Sequence, residues 1–350
     1  MDEVRVVLIG LGAMGAGMGK VLARRKGIRI VGAVRANPAY HGKDLSEVLE
    51  LEEDMGVKIS GDAEAVLKEA KADLCLISTF SFTREVKPQV FQALDYGCNV
   101  ITIAEEMAFP AAAEPEMTRE IHAYAVERGR TVLGTGINPG FILDGLIIAL
   151  TAACTDVTGI KARRVNDLSP FGPTVMRTQG VGTTLEDFEK GLEDGTIVGH
   201  VGFVESMHMI AYALGWKLDK IEQQRKPIMA NEQRRGEHIT VEAGMVAGCN
   251  HTAIGYINGE AAIVLEHPQQ IQPTAAGIDT GDYIEIEGVP SISLGIKPEI
   301  PGGIGTIALA VNMIAPVLAA PAGMTTMADL PLPRAVLGDV RETVEALRKA

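Results

Sequence analysis

The chain begins with a strand that runs straight into a glycine-spaced turn and then a helix, and few openings constrain a fold as tightly. Val6-Val7-Leu8-Ile9 is a continuous apolar run suited to a parallel strand buried on both faces. Gly10-Leu11-Gly12-Ala13-Met14-Gly15 follows at once, and Met18 to Arg25 continues with helical spacing. In such a unit each glycine has its own steric task. Gly10 permits the tight turn, Gly12 lets the backbone approach a pyrophosphate, and Gly15 brings the helix against the strand. The free N–H groups and positive dipole end of the helix then hold the phosphates. The segment Gly10 to Gly15, with Leu11, Ala13 and Met14, is the expected dinucleotide-binding loop.

The alternation continues. Ile28 to Val34 reads as a second strand, and it delivers Arg35-Ala36-Asn37 where NAD-binding folds usually carry an acidic residue for the ribose hydroxyls. A guanidinium at Arg35 suits a 2′-phosphate, so NADP or NAD is the expected cofactor; the plainer reading of Arg35 is a solvated surface charge. Lys43 is a second cation nearby in sequence. Leu74 to Ile77 forms a strand that ends in Ser78-Thr79-Phe80-Ser81-Phe82-Thr83. Loops at strand C-termini face the ligand crevice of an open parallel sheet, which places Ser78, Thr79 and Phe80 against cofactor. Asn99 to Ile103 delivers Ala104-Glu105-Glu106-Met107-Ala108-Phe109-Pro110, and Thr131 to Leu133 delivers Gly134-Thr135-Gly136-Ile137-Asn138-Pro139-Gly140. Asn138 and Pro139 are expected at the nicotinamide carboxamide, although glycines flanking a strand end also serve as ordinary turn punctuation.

Beyond residue 140 the pattern changes. Ile160 to Val165 looks like a strand, and Leu185 to Leu192 and Val201 to Leu214 look helical. Strand-like runs then follow near Ile239–Val246, Thr252–Ile257, Ala261–Glu266, Tyr283–Ile286 and Ser291–Ile296. Asn258-Gly259 between two of them is the pair preferred in type I′ hairpins. The predicted class is α/β: a Rossmann doubly wound parallel sheet plus an α+β domain with an antiparallel sheet. Residues 1–140 and 302–350 are assigned to the dinucleotide-binding domain and 141–301 to the second.

Composition narrows the partners. A net charge of −13 argues against nucleic acid and anionic membranes, because both are held by clustered cations. The uncharged stretch Ile304 to Met324 contains Asn312, Pro316 and Pro321 and lacks basic flanks, so a buried helix is expected there rather than a membrane span. The four cysteines lie far apart with no CxxC pair, a pattern of reduced thiols. With no n-region or h-region at Met-Asp-Glu-Val-Arg, a cytoplasmic location is expected.

Glu105 and Glu106 carry the expected chemistry. Side by side on extended backbone they would point in different directions, one toward substrate beside the nicotinamide and one into the protein. A carboxylate suits a cationic substrate, since it attracts an ammonium and can remove its proton. In the second domain, Arg163-Arg164-Val165-Asn166 and then Ser169-Pro170-Phe171-Gly172-Pro173 form the polar and rigid entry. An arginine there could take a substrate carboxylate bidentately, with Asn166 and Phe171 beside it; alternate residues face opposite ways, so at most one of Arg163 and Arg164 does so directly. The seven histidines show no ligand spacing, so they read as structural and no metal is expected.

These motifs together resemble those of the 2,4-diaminopentanoate dehydrogenase and native amine dehydrogenase family. The glycine loop is widely shared among dehydrogenases, whereas Ala104 to Pro110 and Arg163 to Pro173 are specific, and the likeness extends to Asn312–Pro331. The resemblance implies oxidative deamination of 2,4-diaminopentanoate at C4 to 2-amino-4-oxopentanoate and ammonia, or reductive amination of ketones in reverse. It also implies a role in ornithine breakdown, a dihydrodipicolinate-reductase-like architecture, and a homodimer formed through the second domain. A catalytic glutamate would fall on Glu105 or Glu106. Lysine-using relatives of the wider fold carry Glu-Lys-Pro at this loop, and Glu106 occupies the lysine position, which favours Glu106. Two other readings compete: a reductase or dehydrogenase of a small hydroxy acid or semialdehyde, and a cofactor-sensing protein without turnover.

Overall fold

The apolar runs of the first part of the chain assemble into a seven-stranded sheet in which every pairing is parallel. Its strands are β1 (Val4–Ile9), β2 (Ile28–Val34), β3 (Ile59–Ser60), β4 (Leu74–Ile77), β5 (Asn99–Thr102), β6 (Thr131–Gly134) and, near the C-terminus, β15 (Gly323–Thr325). The computed structural model describes residues 2–349. These divide into a first unit, Met1–Phe141 with Gly302–Ala350, and a second, Ile142–Pro301. The order β15-β6-β5-β4-β1-β2-β3 reverses direction at β1, so the C-terminal ends of β1 and β4 open onto the topological switch point. Val7, Ile9, Cys75, Ile77, Val86, Val90 and Val100 form the centre of its core. Burial pushes the Cys98 thiol up to about 12, so it packs as a small apolar group.

The apolar stretch Gly302–Ala319 has a mean hydropathy of 1.8 and is long enough by composition to cross a membrane. Within the first unit it is two helices. Gly302–Asn312 packs on the helix Ala13–Leu22, and Ile314–Ala319 packs on the helix Val340–Lys349. Gly17 permits the first contact, since a Cβ there would lie 2.3 Å from Ile307 Cδ1.

The second unit is built on a six-stranded sheet of order β14-β13-β7-β12-β11-β8. Its strands are β7 (Asp156–Asp167), β8 (Lys220–Met229), β11 (Val246–Ile257), β12 (Glu260–Gln270), β13 (Gly281–Val289) and β14 (Ile292–Ile296). A two-stranded ribbon of β9 (Arg234–Arg235) and β10 (Thr240–Val241) completes it. The sheet is mixed rather than antiparallel, because β12 runs parallel to β7. The long connection carrying the helices Pro173–Thr178, Leu185–Glu193 and Phe203–Leu214 makes that direction possible. Asn258 and Gly259 both have positive φ (53° and 80°), as the β11–β12 hairpin requires.

The strands of this unit differ from expectation in two places. The run Ile239–Val246 is not one strand: only Thr240–Val241 pairs, and β11 begins at Val246. The edge strand β8 was not anticipated, because Lys220–Met229 is polar on both faces and contains Pro227, both features of strands at sheet edges.

Candidate active site

The glycine loop is organised by contacts at the switch point. Gly10 has φ +92° and lies so close to β4 that a Cβ would sit 2.6 Å from the Ser78 carbonyl oxygen. A Cβ on Gly15 would sit 1.9 Å from the Gly10 carbonyl oxygen, so that glycine sets the packing of helix on turn. Gly12 differs from both: a Cβ there would meet nothing within 4 Å. Gly12 is also the N-cap of Ala13–Leu22 and supplies no side chain to its first turn. Leu11 is buried, and the outward face of the loop, at Gly12, Ala13 and Met14, offers bare backbone donors at a helix start, which fits a pyrophosphate. Ser78 holds the turn, donating its hydroxyl to the Gly10 carbonyl at 3.0 Å. Thr79 instead donates to Gln89 Oε1 at 2.5 Å, and Phe80 is an exposed aromatic beside it.

At the end of β2 the Arg35 guanidinium stacks on the Tyr40 ring, 3.6 Å from its centroid, and Lys43 Nζ lies 5.4 Å from the same ring. Among the described residues no carboxylate pairs with Arg35. Two cations around one aromatic ring suit a phosphate on the adenosine ribose.

The glutamate pair does not lie on extended backbone. Glu105–Ala108 is a 3₁₀ turn, and it rests on the end of β6, where a Cβ on Gly134 would be 2.0 Å from the Met107 carbonyl oxygen. The turn assigns the carboxylates opposite tasks. Glu106 Oε2 accepts the backbone N–H of Thr83 at 2.6 Å, while the Glu106 N–H donates to the Ser81 carbonyl at 3.1 Å. It is therefore a helix-capping residue at the start of Thr83–Asp95. Glu105 has no such duty. Desolvation raises its pKa above the ordinary carboxyl value, opposed by hydrogen bonds from its own backbone N–H and the Ser81 side chain. What each carboxylate touches thus separates the pair: Glu106 is committed to the Thr83 N–H, and Glu105 is not.

After β6 the chain turns through Gly140, whose φ of +125° admits no other residue without a clash against Gly136. Thr306 Oγ1 accepts the Ile137 N–H at 3.2 Å. Asn138, which precedes Pro139, has Oδ1 and Nδ2 both buried without a hydrogen-bond partner, and Thr135 Oγ1 is in the same condition. A carboxamide with a free donor and a free acceptor is complementary to another carboxamide.

In the second unit the two arginines depart from expectation. Arg164 is 2% exposed, pairs with Asp282 at 2.5 Å, and donates to the Ile300 carbonyl at 2.6 Å. Asp282 in turn accepts the Ile300 N–H at 2.9 Å, which makes a closed buried pair. Arg163 points to the opposite face and pairs with Glu266 at 3.2 Å. Neither guanidinium is free for a substrate carboxylate. Phe171 packs into a small core with Leu168 and Met176. Asn166 is buried with Oδ1 unpartnered.

The histidines are not scattered. His200, His251 and His267 come together around Phe203, with His200 and His267 rings 4.9 Å apart and edge-on. His251 Nδ1 accepts the His200 backbone N–H at 3.1 Å, so its proton is on Nε2, 3.0 Å from Gln223 Oε1. Burial pushes His200 and His251 down to about 3, and His267 well below its ordinary value. All three are neutral at physiological pH. Among the described residues no three His, Cys, Asp or Glu side chains converge as metal ligands.

The family of 2,4-diaminopentanoate dehydrogenase C-terminal domains matches residues 141–346, and that of the dihydrodipicolinate reductase N-terminus matches residues 4–102. The 2,4-diaminopentanoate dehydrogenase of Acetoanaerobium sticklandii is 47% identical over 345 residues, covering 98% of this chain and 98% of the relative. An amine dehydrogenase of Streptomyces virginiae is 25% identical over 318 residues, covering 84% and 85%. Among solved structures, the amine dehydrogenase from Mycobacterium smegmatis has a TM-score of 0.85 at 26% identity, covering 96% of this chain and 98% of that one.

Proposed function

The chain belongs to the 2,4-diaminopentanoate dehydrogenase family, and on that premise we propose that it oxidises 2,4-diaminopentanoate at C4 to 2-amino-4-oxopentanoate and ammonia. It is an amine dehydrogenase that uses NAD or NADP, and the reverse direction is reductive amination of the ketone. The observation that carries the reading is the glutamate pair on the strand-end turn Glu105–Ala108, where Glu106 is committed to the Thr83 N–H and Glu105 is not.

When bound, the nicotinamide supplies the acceptor for the hydride that leaves C4. The residues supporting its binding are Gly12 and the first turn of Ala13–Leu22 for the pyrophosphate, Arg35 for a 2′-phosphate, and Asn138 for the carboxamide. Hydride leaves C4 only from the free amine, because an ammonium has no lone pair with which to form the iminium. Glu105 takes that proton, and its raised pKa brings it toward the range where such a transfer is effective. Once Glu105 has passed that proton to solvent, its carboxylate opposes the positive charge of the substrate iminium. Water then adds to C4 and gives a proton to Glu105, which returns it to the nitrogen, and the carbinolamine loses its hydroxyl proton as ammonia departs. Glu106 acts through position, fixing the turn to the helix start at Thr83.

We also place the enzyme in the cytoplasm as a homodimer serving ornithine breakdown, a setting that suits four free cysteines. The test follows cofactor reduction with 2,4-diaminopentanoate beside alanine, lysine and simple alkylamines, with NAD and with NADP. The diamine is expected to give the highest kcat/KM, with one ammonia released per reduced cofactor. Absence of cofactor reduction with the diamine would overturn the assignment.

A further inference from the structure

One face of the second unit's sheet carries a row of polar side chains where a core would ordinarily be apolar. Register places Asp282 opposite Arg164, His267 opposite His251, and His251 opposite Arg225. The β7–β12 register pairs Glu266 with Arg163 and Gln269 with Asn166, which sets Arg164 beside His267. The row thus crosses five strands, β13, β7, β12, β11 and β8, with Asn166 and Gln269 in the next rank of the same face. His267, Gln269, Asn166 and Gln179 are 4%, 7%, 5% and 4% exposed.

Buried polar groups in such a row should bond to one another, and the outer members do. Arg164 and Asp282 close on each other, His251 is fixed by His200 and Gln223, and Arg225 donates to the Val198 carbonyl. The central members do not. Both ring nitrogens of His267, His200 Nε2, Gln269 Nε2, Asn166 Oδ1 and Gln179 Oε1 are buried with no partner in the protein. Native proteins rarely leave so many adjacent groups unpaired without a ligand to meet them. The unmet set is mixed. Gln269 Nε2 is a donor, Asn166 and Gln179 present acceptors, and a neutral imidazole is one of each. A simple anion would leave the acceptors unmet, and a simple cation the donors. The histidines also feel the cationic end of the Arg164–Asp282 pair, which favours negative charge between them.

We propose that this cluster is a subsite for an α-amino-acid head group. The carboxylate takes Gln269 and the imidazole N–H groups, and the ammonium takes Asn166 and Gln179. The proposal rests on the function proposed above, whose substrate carries such a head group. It also replaces Arg163 and Arg164 as the source of carboxylate recognition.

The experiment is a calorimetric titration of the enzyme–NADPH complex with 2-aminopentanoate, which has the head group and no C4 nitrogen. Wild-type enzyme is expected to bind it. His267→Phe and the near-isosteric Gln269→Glu, which sets a carboxylate against the ligand's own, should each weaken binding by about 10- to 100-fold, the usual loss for a hydrogen bond to a charged group. NADPH affinity, which reads folding of the first unit, and pentan-2-amine oxidation should stay near wild type. No binding to wild type, unchanged affinity in both variants, or parallel loss of 2-aminopentanoate and pentan-2-amine recognition would each overturn the subsite and leave ordered water as its occupant. Because the titration needs no turnover, it can succeed even if the diamine proves not to be oxidised, and fail even if it is.

Discussion

Glu105→Gln and Glu106→Gln should separate cleanly, because the two carboxylates touch different things. At Glu105 the amide keeps the shape and loses the base, and removal of a general base typically costs about 10²–10⁴ in rate. That is about 3–5 kcal/mol on the barrier. Stability should move the other way. A carboxyl whose folded pKa is raised is most favourable when protonated, below its unfolded pKa, and that contribution is lost as pH rises through the folded value. At neutral pH Glu105 is therefore a destabilising charge, and Glu105→Gln should raise the Tm while it lowers kcat. Glu106→Gln should do the reverse. The amide retains an acceptor for the Thr83 N–H at 2.6 Å but loses its charge at a helix start, so about 0.5–1 kcal/mol of stability goes. Its kcat should remain within a few-fold of wild type, with any change traced to the displaced turn. Steady-state kinetics across pH and thermal melts of both variants measure this. A larger kcat loss in Glu106→Gln than in Glu105→Gln, or near-native kcat in both, would refute the assignment.

Arg35→Asp should shift the NADP to NAD preference by at least about tenfold, the worth of one charge-assisted contact, and an unchanged preference would make Arg35 a surface charge stacked on Tyr40. Gly12→Val should abolish cofactor binding with little change in Tm, since its side chain meets open space, whereas Gly15→Val should fail to fold properly; equal melting losses would show that the loop has no free face. Arg164→Ala should cost about 3–5 kcal/mol by leaving Asp282 buried and unpaired, while a selective effect on substrate KM at unchanged Tm would restore Arg164 to the substrate site. His200 and His251, held down to about 3, contribute stability that is complete above pH 6.5 and is lost as pH falls toward 3, at up to about 1.4 kcal/mol per pH unit for each imidazole; melts between pH 7 and 5 that stay flat in wild type, or fall equally after His251→Gln, would contradict this.

What was legible in the sequence was what local chemistry decides. The turn from β1 into the helix, the hairpin at Asn258-Gly259 and the strand-end position of Glu105 and Glu106 each follow from residues a few places apart. The division of labour within the glutamate pair does not, because it depends on Thr83, 23 residues away, whose N–H claims Glu106. Arg164 looked available because its partner Asp282 is 118 residues distant and reaches it only through the β7–β13 register. The histidine cluster was invisible for the same reason. Spacing within one element reveals ligands on a shared helix or strand, whereas His200, His251 and His267 come from three separate pieces of chain. The edge strand β8 lacked alternation because neither of its faces is fully buried.

Three desolvated carboxylates in this chain differ in what meets their charge. For Asp44, burial pushes the pKa upward, yet the N–H groups of Ser46 and Met55, with Lys58 beyond them, bring it to about 2. It is a permanent anion that caps Leu45–Leu49 and ties down Met55. For Asp282, burial raises the pKa against the opposing pull of Arg164 and the Ile300 N–H, and both oxygens are committed to those partners. A proton could reach it only by breaking a closed pair. Glu105 is desolvated without either remedy: among the described residues no guanidinium or ammonium lowers its pKa, and the opposing hydrogen bonds come from its own amide and Ser81. On the proposed reading, a cationic amine brought to that carboxylate supplies the missing positive charge and carries the proton that Glu105 takes. Introducing a fixed cation tests the point. Ser81→Lys should lower the pKa of Glu105 and stabilise its charged form, and with it move the acidic limb of kcat/KM to lower pH while reducing kcat at the optimum. An unshifted limb would mean that the ionisation governing catalysis belongs to another group.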